Sequence, residues 1–473
     1  MERPLDVVLA LDQGTHASRA LLVAADGSVR HRVVRPVALQ RRGAAVEQDP
    51  EALVLSLEEA ALEALAAARR GGMRPVAAGL ATQRSTVLAW TRAGARPLTP
   101  AISWLDARGG EALEACPLPP ARLRALTGLV PSAHHAAGKI AWLLRADGAL
   151  RRAAEGGRAV VGPLAAFLVQ RLTGGAPRID AGNASRTLLY GLRRGDWEPA
   201  LLEAFGVPPA ALPACRPVRH RWGALHGTGL PLTAVHGDQP AALHADGAPR
   251  ADTLHLNLGT GAFGLVPLQV PAARVPRGYA VGVADAGPSG RLLAAETTIH
   301  GAGAALAWIG DRRRLAAEVV LRLAAREPSS PPPLFVDAVG GLGAPWWRPH
   351  ALPRWPEGEP VEDAAAVASV VEGMAFVIAA SIAGLAGAMP GLRAIRAGGG
   401  LARLEPLLGR LAALAGLPVY RVAEPEATAR GIAWLAAGSP ARWRPAPSRR
   451  IAPLADDALA ARFARARAAL EAA

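Results

Sequence analysis

The chain has 473 residues, 51% of them hydrophobic and 19% charged, with 51 glycines and 41 prolines that make up about a fifth of it. That composition supplies large apolar cores, excludes a fibrous or mostly disordered chain, and suits two to four domains. The net charge of +14 is arginine in character, because Lys139 is the one lysine, and the arginines are spread in ones and twos with short runs at 312–314 and 449–450. No basic arm or aromatic-rich platform accompanies them, so no nucleic-acid partner is expected. Cys116 and Cys215 cannot make a disulfide framework or a CxxC metal site, and read as reduced thiols of a cytoplasmic protein.

In chain order, residues 9–15 read LALDQGT: an apolar run, an Asp, a Gly-Thr turn, then a second apolar run. This predicts a β-hairpin. The first apolar run stops at Asp12, too short for a signal h-region. Asp49-Pro50 marks the start of a helix over 51–70. Apolar β-type runs at 76–80 and 87–90 follow, and the alternation with helices predicts an α/β class. Residues 233–236 run into Gly237-Asp238-Gln239-Pro240 and a helix over 241–245, with Pro240 suited to the first helical position. Residues 254–260, LHLNLGT, repeat the opening hairpin 245 positions later, which suggests two halves of one architecture. Residues 373–392 carry no charge for 20 positions; the run's Ala and Gly content, Ser381 and Pro390 favour a buried helix over a membrane span. A strand at 394–395 leads into Gly398-Gly399-Gly400, then a helix to Ala415, a strand over 418–422 and a helix segment over 431–437. The expected domains are 1–245 and 246–450, followed by a peripheral helical tail over 451–473.

A strand ending in Asp-x-Gly-Thr puts a carboxylate beside exposed backbone N–H groups. Such turns accept phosphate oxygens, and the carboxylate can hold Mg²⁺ through waters. Asp12 is thus a candidate metal anchor and Gly14-Thr15 a candidate phosphate turn. The second copy, Gly259-Thr260-Gly261, has Asn257 in place of the acid and could cradle phosphate without adding negative charge. Asp238 reads either as a helix N-cap or as a general base projecting from a strand end.

Taken together, these motifs resemble the FGGY carbohydrate kinases, with the glycerol kinase branch nearest, over almost the full length. The resemblance is carried by LALDQGTHASRALLV, LATQRSTVLAW, PLTPAISWLDAR, DAGNASRTLLY, DWEPALLEAFGVPPAALP, HGDQPAAL, LNLGTGAF, GGLGAPWWRP and IRAGGGLA, in that order. It implies two related domains of the actin and hexokinase (ribonuclease H-like) type, with ATP and Mg²⁺ bound in the cleft between them. By the family pattern Asp238 would take the proton of the attacking hydroxyl, and Asp12 would hold Mg²⁺ through water. Thr15, Arg19 and Thr260 would contact phosphates, Gly303 and Gly400 would line the nucleoside side, and Arg84 and Gln239 would hold substrate hydroxyls. The partner implied is a small polyol or sugar, with no membrane, and a homodimer is consistent with the family.

The departures fall on the substrate side. Glycerol kinases have Gln-Arg-Glu where this chain has Gln83-Arg84-Ser85, and a tyrosine where it has His134. Losing a hydroxyl-binding carboxylate predicts a larger polyol or sugar rather than glycerol. A true glycerol kinase, or a catalytically weak nucleotide- or sugar-sensing member, are the alternatives. Ala307 and Leu404 replace a Gln and an Asn of the nucleotide side, and Gly398 replaces an aspartate, which leaves the base preference open. Lys139 and Trp142 match the family's Lys-x-x-Trp, and a lysine kept amid arginines suggests a site that a guanidinium does not fit.

Overall fold

The computed structural model describes residues 4–288 and 290–473. They form two compact units, one made of Met1–Pro249, Val281–Leu293 and Glu426–Pro445, the other of Arg250–Ala280, Ala294–Pro425 and Ala446–Ala473.

The first unit is built on a six-stranded sheet in the order Arg219–Ala224, Pro231–Gly237, Met73–Thr82, Leu5–Gln13, Ala17–Ala24, Val29–Pro36. Its three middle members, ending at Gln13, Thr82 and Gly237, run parallel. Residues 7–13 of the opening strand are all buried, as a strand covered on both faces must be. One cover is the helix Pro50–Arg70. Asp49 caps it by accepting the Glu51 N–H at 2.9 Å, Pro50 opens it, and Leu53, Leu57, Ala60, Ala64 and Ala68 form its buried stripe. The other is the helix Ala427–Ala436, which packs on the strands Leu5–Gln13 and Met73–Thr82 and on the short helix Asp238–Ala242. A smaller five-stranded sheet includes Val87–Thr91, Ala101–Ile102 and Ala159–Pro163.

The second unit repeats the plan. Its strand Thr253–Leu258 pairs antiparallel with Ala262–Pro267 through a tight hairpin and parallel with Ala394–Gly398. In the first unit Leu5–Gln13 pairs antiparallel with Ala17–Ala24 and parallel with Met73–Thr82. The repeat seen in the sequence is therefore a repeat of sheet construction. Further out lie Val419–Val422 and Ser448–Ile451.

The apolar helix runs over Asp363–Ala388, so it begins ten residues before the uncharged stretch and ends short of Pro390. It is long and apolar enough to cross a membrane, yet most of it is buried within its unit. It also carries a buried glutamate, Glu372, which pairs with Arg462 and, at 3.6 Å, with Arg410. Gly384 lets the Tyr279 ring approach, and the Tyr279 hydroxyl donates to the Ser381 carbonyl at 2.7 Å. The C-terminal helix Asp457–Glu471, capped by Asp456, buries Leu459, Ala466 and Leu470, and its Leu459 and Ala466 join Leu334 and Phe376 in one apolar cluster.

Candidate active site

In the first unit three parallel strands end side by side: Gln13 lies opposite Thr82, and Thr82 opposite Gly237. Ligands of open α/β sheets collect at such carboxyl ends. The chain places Asp12, Arg84 and Asp238 there, from three separate stretches of sequence. Asp238 is the first residue of the helix Asp238–Ala242, and Gly237 occupies the N-cap. The N-cap reading of Asp238 is thus replaced, and Pro240 stands at the third helical position rather than the first. With the cap filled by glycine, the Asp238 carboxylate is left to other work. Its Oδ1 accepts the Gln239 N–H at 2.8 Å and lies 3.6 Å from Arg84 Nε. Arg84 reaches it by crossing Gly237, where a Cβ would come within 2.6 Å of Arg84 Cδ.

Asp12 and Arg19 are directly opposed in the antiparallel hairpin, so their side chains share a face. Arg19 Nη1 stands 3.5 Å from Asp12 Oδ2. Burial pushes the Asp12 carboxyl up to about 7, the Arg19 charge opposes that shift, and the charges of Asp238 and Glu426 add to it. Arg19 is held from its other side by Glu426, at 3.7 Å, and Glu426 in turn accepts from Arg32 Nε at 2.8 Å. Nothing local in the sequence marks Glu426, which is 407 positions beyond Arg19.

The Gly14-Thr15 turn is closed by the Gly14 N–H donating to the Ala17 carbonyl at 3.0 Å. Beneath it, Gln83 Nε2 donates to Gln13 Oε1 at 3.0 Å and Gln48 Oε1 at 2.8 Å, while Gln48 Nε2 donates to the Thr15 carbonyl at 2.9 Å. This glutamine network also escaped the sequence reading. The Thr15 hydroxyl accepts the Trp104 indole N–H at 2.9 Å, and the Trp104 carbonyl lies 3.1 Å from His134 Nδ1. Trp104 therefore joins the phosphate-turn candidate to a substrate candidate, and it was not singled out from the sequence. Ser85 sits in the left-handed region at φ 64, with its hydroxyl donating to the Arg186 carbonyl at 3.4 Å.

Thr260, Gly303 and Gly400 belong to the second unit. The Gly303 N–H donates to the Gly259 carbonyl and the Ala304 N–H to the Thr260 carbonyl, both at 2.9 Å, so the second Gly-Thr turn is bonded to the start of the helix Ala302–Arg313. A Cβ on Gly303 would lie 2.7 Å from the Gly259 oxygen. Beside this turn, Gly399 at φ 90 leaves no room for a Cβ against the Leu258 carbonyl, and Gly400 opens a 3-10 turn facing open space.

The FGGY family of carbohydrate kinases accounts for most of the chain: its N-terminal domain matches residues 7–236 and its C-terminal domain residues 254–439. The chain belongs to that family and is a carbohydrate kinase. It is 36% identical to a glycerol kinase of Thermus brockianus, covering 92% of both chains, and 34% identical to one of Xanthobacter autotrophicus, covering 98% of both. Its fold matches a glycerol kinase of Plasmodium falciparum, solved with ADP, at a TM-score of 0.87, 22% identity and coverage of 99% and 98%. A xylulose kinase from Rhodospirillum rubrum matches at 0.84, with 22% identity and 98% of each chain covered. The two-domain α/β fold expected from the motifs is the fold found.

Proposed function

We propose that this kinase transfers the γ-phosphoryl group of ATP to a hydroxyl of a small polyol or sugar, with Asp238 as general base. The reading is supported above all by the meeting of Asp238, Arg84 and the Asp12–Arg19 pair at the ends of three adjacent strands. Asp238 takes the hydroxyl proton as that oxygen bonds to the γ-phosphorus; the bond from that phosphorus to the β–γ bridging oxygen breaks and ADP leaves. Arg84 and Gln239 orient the acceptor, and Arg19 and Thr15 meet phosphate oxygens. In the second unit Thr260 takes phosphate, and Gly303 and Gly400 give the nucleoside a close backbone approach.

Magnesium fits the residues present. Mg²⁺ uses one or two carboxylates and keeps several waters, so it does not need the cluster of three ligands that is absent among the described residues. A cation would also relieve the cost of charging the buried Asp12. When bound, it neutralises charge on the phosphate oxygens.

The acceptor is larger than glycerol in this reading. A serine hydroxyl turned toward the Arg186 carbonyl offers a substrate hydroxyl much less than a carboxylate does. The identity to glycerol kinases favours glycerol as a second reading. A panel of glycerol, longer polyols and ketoses, read by coupled ADP release, separates the two: glycerol leading in kcat/KM would reject the first.

Many arginines are paired at the surface, as in Arg35–Glu63, Arg74–Asp6, Arg171–Glu51 and Arg449–Glu405. That pairing spends much of the basic charge within the protein, and the Asp363–Ala388 helix is mostly buried; a cytoplasmic enzyme that engages neither nucleic acid nor membrane is part of the same proposal.

A further inference from the structure

Lys139 is the one lysine of the chain, and it is fully buried in the helix Ala136–Ala146. Its ammonium donates to the Ser103 carbonyl at 3.1 Å and the His134 carbonyl at 3.0 Å. These are informative acceptors. Ser103 immediately precedes Trp104, whose indole holds the Thr15 hydroxyl and whose carbonyl meets the His134 ring. One nitrogen thus cross-links the backbone on both sides of the Trp104–His134 contact.

The surrounding architecture keeps it there. Gly109 and Gly138 bring their backbones together so closely that a Cβ on Gly138 would lie 2.3 Å from the Gly109 oxygen. Arg108 stacks over the Trp142 ring at 4.7 Å and pairs with Asp106 and Glu47. The turn at 103–110 is thereby fastened to the helix around Lys139. Burial draws the Lys139 amine down to about 7, with Asp106 opposing and Arg108 adding to the shift. A group held at that cost in a chain otherwise using arginine marks a place where a compact amine fits and a guanidinium fork does not.

We infer that Lys139 is a positioning residue for the acceptor site, fixing His134 and Trp104 as one wall by tying together the backbone that carries them. This rests on the reading that His134 faces the acceptor. Its main effect falls on acceptor binding, with a smaller one reaching the nucleotide through the bond from Trp104 to Thr15.

Three variants test it: Lys139→Met, Lys139→Arg and His134→Ala. Both Lys139 variants should raise the acceptor KM about tenfold or more, with the KM for ATP and kcat changed less than about threefold. In combination with His134→Ala, the effect of Lys139→Met should largely disappear, because both act through the same wall. A folded Lys139→Met enzyme with unchanged acceptor KM, or with the KM for ATP raised equally, would overturn the inference. An unchanged acceptor KM in His134→Ala would instead remove the reading beneath it. Should the lysine variants not fold, [ε-15N]lysine labels one nitrogen in the whole wild-type chain. Its resonance should move when the best acceptor of the panel is saturating and stay fixed with ADP alone; a resonance indifferent to the acceptor contradicts the inference.

Discussion

Gly431→Ala is the substitution for which the packing gives the sharpest expectation. Gly431 lies in the helix Ala427–Ala436 and faces the short helix that begins with Asp238. A Cβ there would stand 1.8 Å from the Ala241 carbonyl oxygen and 2.7 Å from its carbon. Non-bonded carbon and oxygen need upward of about 3 Å, so the helices must part by about 1 Å or more. The longer helix has little room to yield, because Gly79 of the sheet already admits the Ile432 carbonyl at a distance that a Cβ would bring to 2.8 Å. Alanine's helix propensity favours the variant by about 1 kcal/mol. Overpacking costs about 1–3 kcal/mol in general, and more where two backbones rather than flexible side chains collide. The clash therefore decides the sign: a gross cost of about 2–4 kcal/mol for this backbone collision, less the propensity gain, leaves a net loss of about 1–3 kcal/mol. The catalytic effect should be larger than stability alone suggests, since a base misplaced by about 1 Å costs about 10²-fold in rate. Urea unfolding and acceptor-dependent ADP release at saturating substrates measure the two effects. A Gly431→Ala enzyme with wild-type midpoint and kcat within threefold would refute the claim that this backbone contact seats Asp238.

Glu426→Gln keeps the shape of the side chain that holds Arg19 and Arg32 but removes its charge. Because both arginines keep part of their solvent, the loss should be about 1–2 kcal/mol in urea unfolding, below that of a fully buried pair, with a several-fold rise in the KM for ATP. Ser85→Glu should move selectivity toward glycerol by about tenfold or more in kcat/KM relative to a longer polyol. Asp337, buried in the second unit, has its carboxyl pushed up to about 8 by burial, partly offset by the Val339 N–H. The folded protein then keeps a proton that the unfolded chain releases above about pH 4, so this group's contribution to stability falls as pH rises from about 4 to 8. Asp337→Asn should remove this group's share of the decline, making the fall in stability across pH 5–8.5 shallower in matched unfolding curves. A variant with the wild-type slope would contradict the placement of a protonated acid there.

Elements whose signals are local could be read from the sequence. The hairpin around Gly14-Thr15 and its second copy announce themselves by alternation and a small-residue turn, and Asp49-Pro50 fixes the start of its helix within a residue. The Asp363–Ala388 helix starts ten residues before the uncharged run because Glu372, which bounds that run, lies buried inside the helix, where its pairing with Arg410 and Arg462 makes the charge tolerable. Within the candidate site, the placements that could be read are those where one motif carries both the residue and its setting, as at Asp12 and Asp238. Placements that depend on pairing across long separations could not be read. Glu426 beside Arg19, Trp104 beside Thr15, and Gln48 beside Gln83 are joined by the order of strands in the sheet, which no local pattern encodes. The N-cap reading of Asp238 failed for a small reason: Gly237 fills the cap, and it must be glycine because Arg84 crosses it.

Asp238 is proposed to accept the proton in phosphoryl transfer from ATP to an alcohol. Asn at this position keeps an oxygen for the Gln239 N–H and so preserves the fold, while the base is lost. Acceptor-dependent ADP release by Asp238→Asn, compared with wild type at saturating Mg-ATP, is the direct measurement. The expected outcome is a kcat lower by about 10²–10⁴-fold with an unchanged melting temperature. Turnover near wild type in a folded Asp238→Asn protein would contradict it.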